Sequence, residues 1–125
     1  GSAGYDFFAP AEFTLKPSET VKIPTGIRVE MQPEWVLKCY PRSGLGFKYR
    51  LQLNNTVGII DSDYFYSDNE GHIFAKITND SNEDKTLIIP ADTGFMQGIF
   101  VEYGITVDDD ATEIRNGGFG STTAK

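Results

Sequence analysis

The sequence is poor in the residues that commonly build disulfides and metal centres. Among its 125 residues there is one cysteine, Cys39, and one histidine, His72. A single cysteine cannot form an intramolecular disulfide, which excludes a disulfide-stapled secreted scaffold and favours a reducing compartment, the cytoplasm of a cell or of a viral host. A single histidine excludes zinc sites made of several histidines, although a Ser-His-Asp triad stays formally possible. A hydrolase built from this chain is therefore expected to use a carboxylate as its base.

Positive charge and long apolar runs are also scarce. Eleven Lys and Arg stand against 18 Asp and Glu, giving a formal charge of −7. A nucleic-acid polymer requires a basic face and is therefore not expected as a partner. No apolar run approaches ~18 residues and no secretion signal precedes the first motif, so neither a membrane span nor export is predicted. At roughly 100 to 200 residues per domain, the length predicts one domain over residues 1–125.

What the sequence does contain is a succession of short β-type runs between glycines and prolines. They cover residues 21–23, 26–31, 35–40, 57–60, 73–77, 86–89 and 95–103. Several alternate apolar and polar residues, the period-2 pattern of a half-buried strand. No stretch keeps a helical period for three turns, so an all-β antiparallel sandwich or barrel is predicted, with at most one short helix near 44–49.

Two glycine-containing segments are suited to hold an anion. In residues 41–46, Arg42 supplies a charged fork, Ser43 a hydroxyl, and Gly44 lets a ligand approach backbone N–H groups closely. Residues 115–122 resemble a phosphate-binding loop in composition but lack the Gly-Lys-Ser/Thr ending of a nucleoside-triphosphatase P-loop. Taken alone, either segment is more typical of an ordinary exposed loop. The glycine-rich tail that contains the second one is expected to be a mobile flap over residues 112–125.

A pair of carboxylates follows a predicted strand in the centre of the chain. Residues 57–60 predict a buried strand, and Asp61 and Asp63 come directly after it, at a strand end, where sites are commonly built. Such a pair can bind a metal, activate water or simply cap a turn. Tyr64 beside it offers a flat apolar face with a polar tip. The acidic stretches elsewhere lack the regular oxygen spacing of a calcium loop and predict solvated turns.

These segments, in this order, resemble the five motifs of the homotrimeric deoxyuridine triphosphatases (dUTPases). The matching segments are Ser-Ala-Gly-Tyr-Asp-Phe-Phe-Ala at 2–9, Pro-Arg-Ser-Gly-Leu at 41–45, residues 55–64, Gly-Phe-Met-Gln-Gly-Ile-Phe at 94–100, and Arg-Asn-Gly-Gly-Phe-Gly-Ser-Thr at 115–122. Any one of these motifs could arise by chance, whereas five motifs in the family's order and at close to its spacing are specific for the family. The resemblance implies a distorted jelly-roll subunit, hydrolysis of dUTP to dUMP and pyrophosphate in nucleotide metabolism, and three active sites shared between the subunits of a homotrimer.

The resemblance also assigns roles to individual residues. Asp61 is implied to orient and deprotonate the water that attacks the α-phosphate, as an ionised carboxylate can. Tyr64 is implied to pack under the deoxyribose and exclude a 2′-hydroxyl. Asn55 and backbone of the same hairpin at Gly58 are implied to pair with uracil, because a cytosine amino group would leave buried donors facing donors. The residues implied to bind the phosphates are Arg42, Ser43, Gly44, Leu45, Gln97, Arg115, Ser121 and Thr122.

The tail and a metal complete the implied site. Phe119 is implied to lie over the base when the tail closes, a movement that expels water and uses the freedom of glycines such as Gly120. Mg²⁺ is implied to bridge the three phosphates and to keep water ligands, one of which Asp6 holds from the second shell. An acidic chain can thus bind a triphosphate, because the substrate brings its own divalent cation.

The sequence departs from the family pattern in three places. Between Tyr64 and Gly71 the family typically has a single residue, usually Arg, whereas residues 65–70 intervene here; this insertion leaves the role of Asp63 open. Gly94 stands where a basic residue is common, so one ion pair of the family is expected to be missing. Relatives carry a further strand ahead of the first motif, so a trimmed terminus that is partly tag-derived at residues 1–2 is expected.

Two other functions are weighed against dUTP hydrolysis. A dCTP deaminase shares the fold, but its catalytic glutamate motif is not seen, and residues 61–64 fit the hydrolase. A regulatory protein of the same fold would bind a protein partner, with the insertion 65–70 as its contact; an inactive regulator need not keep Asp61, Gln97, Arg115 and Phe119, which are all present.

The lone cysteine and the lone histidine receive structural interpretations. Cys39 falls on the strand run 35–40, where a small buried residue is expected. His72 lies beside the insertion and is expected at the surface.

Overall fold

Short strands separated by turns dominate residues 1–109, the part of the chain that the computed structural model describes. One α-helix and one 3₁₀ helix, Ser62–Tyr66, accompany them. The elements are β1 Tyr5–Phe8, β2 Phe13–Leu15, β3 Thr20–Pro24, β4 Trp35–Pro41, α1 Ser43–Tyr49, β5 Leu51–Leu53, β6 Gly58–Ile60, β7 Phe74–Asn79, β8 Leu87–Ile89 and β9 Gly94–Glu102. The prediction of an all-β chain with one short helix near 44–49 is confirmed.

The strands form three antiparallel sheets. Their orders are β1-β9-β4-β6, β2-β8 and β3-β7-β5. Most neighbours are far apart in the sequence, since β1 pairs with β9 and β3 with β7. Such long connections are typical of Greek-key jelly rolls and differ from a meander of hairpins. The predicted antiparallel jelly-roll fold is therefore confirmed.

The core lies between the sheets and is filled by alternate residues of the strands. In β7, Ala75 and Ile77 are buried whereas Lys76 is exposed, as the period of 2 requires. Phe95 is fully buried and meets the ring of Phe13 edge to face, at 5.9 Å between centroids. Cys39 belongs to this core, and burial raises the pKa of its thiol to about 12. The structural interpretation of Cys39 is confirmed, because its thiol stays protonated at neutral pH and is no nucleophile.

One predicted strand is wrong. Residues 26–31 form no strand, since the chain turns at Gly26 with φ +74° and its N–H donates to Nε2 of His72 at 3.0 Å. Arg28, expected on the polar face of a strand, donates hydrogen bonds to backbone carbonyls of the insertion 65–70. The alternation therefore marks a segment that packs against the insertion without a strand partner. His72 is half-buried by this packing and is not the surface residue that was expected.

A buried asparagine ties the end of β7 to two loops. Asn79 is 0% exposed; its Nδ2 donates to the carbonyls of Leu15 at 2.9 Å and Lys85 at 2.8 Å, and its Oδ1 accepts from Ser81 N–H at 3.0 Å. We expect Asn79→Ala to lower the free energy of unfolding by about 2–4 kcal/mol, because three backbone groups lose their partner.

Urea unfolding followed by circular dichroism measures this loss of stability. Asn82→Ala, at an exposed position of the same loop, is the control and should change the free energy by no more than about 0.5 kcal/mol. Equal losses in the two variants would contradict the role assigned to Asn79.

Within residues 1–109 no helix is both long enough and apolar enough to cross a membrane.

Candidate active site

The carboxylates of the third motif lie where β6 runs into the 3₁₀ helix. Asp61 immediately precedes the helix in extended conformation, and its carbonyl accepts a hydrogen bond from Tyr64 N–H at 3.1 Å. Its side chain is half-buried, so water can reach a carboxylate held by hydrogen-bonded backbone on both sides. The expectation that β6 is a fully buried strand is wrong, since Ile59 is 51% exposed while only Ile60 is buried. Successive side chains of a strand point to opposite faces of the sheet, so Ile60 faces the core and Ile59 the outer face.

A cavity of about 370 Å³ opens beside the hairpin between β5 and β6. Two predicted site residues, Asn55 and Gly58, are on its wall. The turn between them is tight, with Thr56 at φ +71° and the N–H of Val57 donating to the carbonyl of Asn55 at 2.8 Å. The volume lies in the range of small-molecule sites. The remaining lining residues are Lys22, Cys39, Leu53, Asn54, Ile60, Ile73, Phe74, Ala75, Lys76 and Met96.

Some of these lining residues were missed by the sequence analysis. Lys22 on β3 and Phe74 on β7 line the cavity, and Nζ of Lys22 is 4.7 Å from the centroid of the Phe74 ring. No motif marks them, because they reach the cavity through strand pairing between distant segments. The alternation of polar and apolar residues in β3 and β7 predicts which side chains share a face of the sheet. It does not predict that this face lines a cavity.

A second group of predicted residues surrounds the start of α1. Nε of Arg42 lies 3.5 Å from Oδ1 of Asp6, and both side chains are partly exposed. Gln97 on β9 is directly opposite Asp6 on β1 and opposite Tyr40 on β4, so it joins the same group. Ser43 and Gly44 open α1 and are exposed to solvent. This group therefore presents a guanidinium and a hydroxyl from the start of α1 and an amide from β9, beside one carboxylate on β1.

Asp61 and Arg42 lie far apart within one chain. In the β4–β6 register, Ile60 is opposite Leu37, so Asp61 lies toward the beginning of β4. Arg42 follows the end of β4. With a rise of roughly 3.3 Å per strand residue, the two side chains start on the order of 15–20 Å apart along the strand direction.

The fifth motif lies outside the described residues. This applies to the flap 112–125 as a whole and to Arg115, Phe119, Gly120, Ser121 and Thr122, whose roles stay predictions.

Gly94 leaves room for Arg42. A Cβ at this position would lie 2.9 Å from Nη1 of Arg42 and 3.5 Å from Cγ of Asp6. We expect Gly94→Ala to displace the flexible guanidinium at little cost in stability, and to raise the KM for dUTP, the substrate that the resemblance implies, by roughly 3- to 10-fold. Steady-state kinetics with thermal melting measures both effects. Gly104→Ala, whose Cβ would meet nothing within 4 Å, is the control; the same KM in both variants would argue against the contact.

Comparison with known proteins gives a consistent result. A family model described as dUTPase matches residues 1–123. The deoxyuridine 5′-triphosphate nucleotidohydrolase of Lactococcus lactis subsp. lactis is 40% identical over 126 residues, which cover 98% of this chain and 83% of the relative. The dUTPase of Streptococcus mutans is 36% identical with a TM-score of 0.72, over 84% of this chain and 81% of that one.

A more distant structure shares the fold alone. It is a variant of the dUTPase from phage phi11 of S. aureus, 21% identical with a TM-score of 0.69, over 90% of this chain and 84% of that one, and it is described as coordinating a structural Mg(II) ion.

Proposed function

Since this chain belongs to the dUTPase family and is a dUTP nucleotidohydrolase, we propose that it works through an Asp61-activated water in active sites shared between the subunits of a homotrimer. The observation that supports shared active sites is the separation of Asp61 and Arg42 along β4. A base and a phosphate-binding guanidinium that serve one substrate must lie within a few ångströms of it. The positions of these residues at opposite ends of one strand favour a site that takes Asp61 from one subunit and Arg42 from another.

Asp61 supplies the base of the reaction. Its carboxylate accepts a hydrogen bond from a water, aligns it with the α-phosphorus, and takes its proton as the new O–P bond forms. The bond between the α-phosphorus and the α,β-bridging oxygen breaks, so that dUMP and pyrophosphate are released. The backbone hydrogen bond from Tyr64 N–H to the Asp61 carbonyl holds the carboxylate at the end of β6.

The cavity beside the hairpin receives the nucleoside. The Asn55 amide and backbone groups near Gly58 face a base there, and uracil offers the matching pattern of donors and acceptors. Tyr64 bounds the sugar. It is 4% exposed, so it offers the deoxyribose a small, fixed area of ring that leaves no room for a 2′-hydroxyl.

The phosphates are bound by the group at the start of α1. Arg42 contributes a charged donor fork, Gln97 an amide, and Ser43 with Gly44 a hydroxyl and backbone N–H. Leu45 adds a backbone N–H from the first turn of the same helix, and the fifth motif adds Arg115, Ser121 and Thr122.

The residues of this group fit a magnesium ion that is held mainly by substrate. Asp6 is a partly exposed carboxylate beside Arg42, and residues 1–109 contain no cluster of three or more His, Cys, Asp or Glu that could hold a metal. A single carboxylate matches an ion that keeps its water shell, with Asp6 holding one of those waters. When bound, the ion neutralises charge on the triphosphate and so favours departure of pyrophosphate.

Pyrophosphate release from dUTP, dCTP, dTTP and UTP tests the proposed specificity. We expect release from dUTP to dominate, with no formation of dUTP from dCTP, which a deaminase would give.

Chelating Mg²⁺ should lower the rate of pyrophosphate release strongly but the melting temperature little, because the protein has no metal cage to lose. A large fall in melting temperature would indicate a structural metal. Sedimentation equilibrium checks the trimer, and a monomer with full activity would refute the shared sites.

A further inference from the structure

The insertion 65–70 is a hydrogen-bonded turn. Ser67 N–H donates to the Tyr64 carbonyl at 3.0 Å, and Glu70 N–H donates to the Ser67 carbonyl at 2.9 Å. Within it, Oγ of Ser67 donates to Oδ1 of Asn69 at 2.8 Å. The buried Ser67 and this inner bond give the insertion a defined shape.

This turn contacts the motif tyrosine through its hydroxyl. Oη of Tyr64 accepts a hydrogen bond from Nδ2 of Asn69 at 2.8 Å and donates one to the backbone carbonyl of His72 at 2.5 Å. One partner belongs to the insertion and the other directly follows Gly71. Because the hydroxyl is bonded both as acceptor and as donor, the ring is held at its outer end as well as by the core around it.

Arg28 closes the insertion at its two ends. Its guanidinium donates to the carbonyls of Phe65, at 3.1 Å, and Glu70, and it stacks over the Phe65 ring at 3.7 Å from the centroid. Gly71 lets the chain return, since it has φ +75° and a Cβ there would lie 2.7 Å from Cα of Phe65. The backbone on either side of Asn69 is therefore fixed, and so is the direction of the Asn69 amide.

We propose that the insertion is a brace for sugar selection, in which Asn69 is the positioning residue that acts through the hydroxyl of Tyr64. The inference rests on the proposed role of Tyr64 against the deoxyribose. A ring excludes a 2′-hydroxyl only if it cannot move aside, because a shift of about 1 Å already admits a small group. Asn69 removes that freedom without touching the substrate.

The test compares kcat/KM for dUTP and UTP in single-turnover assays. We expect Asn69→Ala to lower the ratio of dUTP to UTP by about tenfold, the loss that one hydrogen bond of ordinary strength produces. The change should come mainly from improved use of UTP. Asp68→Ala is the matched control: it lies in the same insertion, is exposed, and makes no side-chain hydrogen bond or ion pair within residues 1–109, so its ratio should equal that of the wild type.

A double-mutant cycle separates positioning from a general loss of structure. Tyr64→Phe removes the hydroxyl, so adding Asn69→Ala to it should cause no further fall in the ratio. An equal loss for both nucleotides in Asn69→Ala, or an additive effect in the double variant, overturns the brace. A wild-type enzyme that does not prefer dUTP would instead refute the proposed function on which the inference rests.

Discussion

Asp61→Asn is expected to lower kcat for dUTP by roughly 10² or more while leaving nucleotide binding nearly unchanged. The amide keeps the size and planar shape of the carboxylate, with a donor NH2 group in place of one acceptor oxygen, and the side chain makes no cap hydrogen bond to the 3₁₀ helix that follows. What it cannot do is accept the proton of the attacking water. Pyrophosphate release gives kcat, and calorimetric titration with a non-hydrolysable dUTP analogue gives the dissociation constant.

Asp63→Asn provides the matched comparison, because it removes the neighbouring carboxylate two residues along the same turn. The insertion leaves the role of Asp63 open. If Asp63→Asn abolished turnover and Asp61→Asn did not, the base would be misassigned. A similar loss in both variants, with weakened binding, would mean that the pair acts on substrate or metal and not on water.

The fold was predictable from the sequence where strands are long and alternate. β7 and β9 lie close to their expected positions, and so does the helix α1; β7 shows alternating polarity, and β9 is a β-type run bounded by polar turns. β1, β2 and β5 were missed, because Tyr-Asp-Phe-Phe, Phe-Thr-Leu and Leu-Gln-Leu lack the adjoining isoleucines that marked the equally short β6 and β8. Residues 26–31 show the opposite error, because alternation reports which side is buried and not whether a strand partner exists.

The motifs name candidate site residues, but they do not give the arrangement of these residues in the fold. The motifs identify Asp61, Asn55 and Arg42, yet only the strand register places Asp61 and Arg42 at opposite ends of β4. Arg28 carries no motif and reaches the insertion from 37 residues away in the chain. Contacts of this kind depend on the path of the backbone, which local sequence does not encode.

Ending the chain after Arg115 is expected to lower kcat/KM for dUTP by about 10² or more, since several phosphate donors and the aromatic cover of the base are lost together. Within residues 1–109, the group at the start of α1 holds one guanidinium, Arg42, and it already faces Asp6. A triphosphate needs more donors than this group offers, and residues 116–122, which the shortened chain lacks, contain the hydroxyls of Ser121 and Thr122, whereas Arg115 is kept. The melting temperature should stay close to that of the full chain; unimpaired kcat/KM would refute the role of the tail.

Mixing this shortened chain with the Asp61→Asn variant tests the shared site directly. Neither protein alone should turn over dUTP efficiently. If the tail of one subunit serves Asp61 of another, unfolding and refolding the two proteins together in equal amounts should restore activity at roughly a quarter of all sites, or about one site in each mixed trimer, where an intact base meets an intact tail. Mixing without subunit exchange is the control and should give none. A refolded mixture that stays inactive would mean that base and tail must come from the same chain.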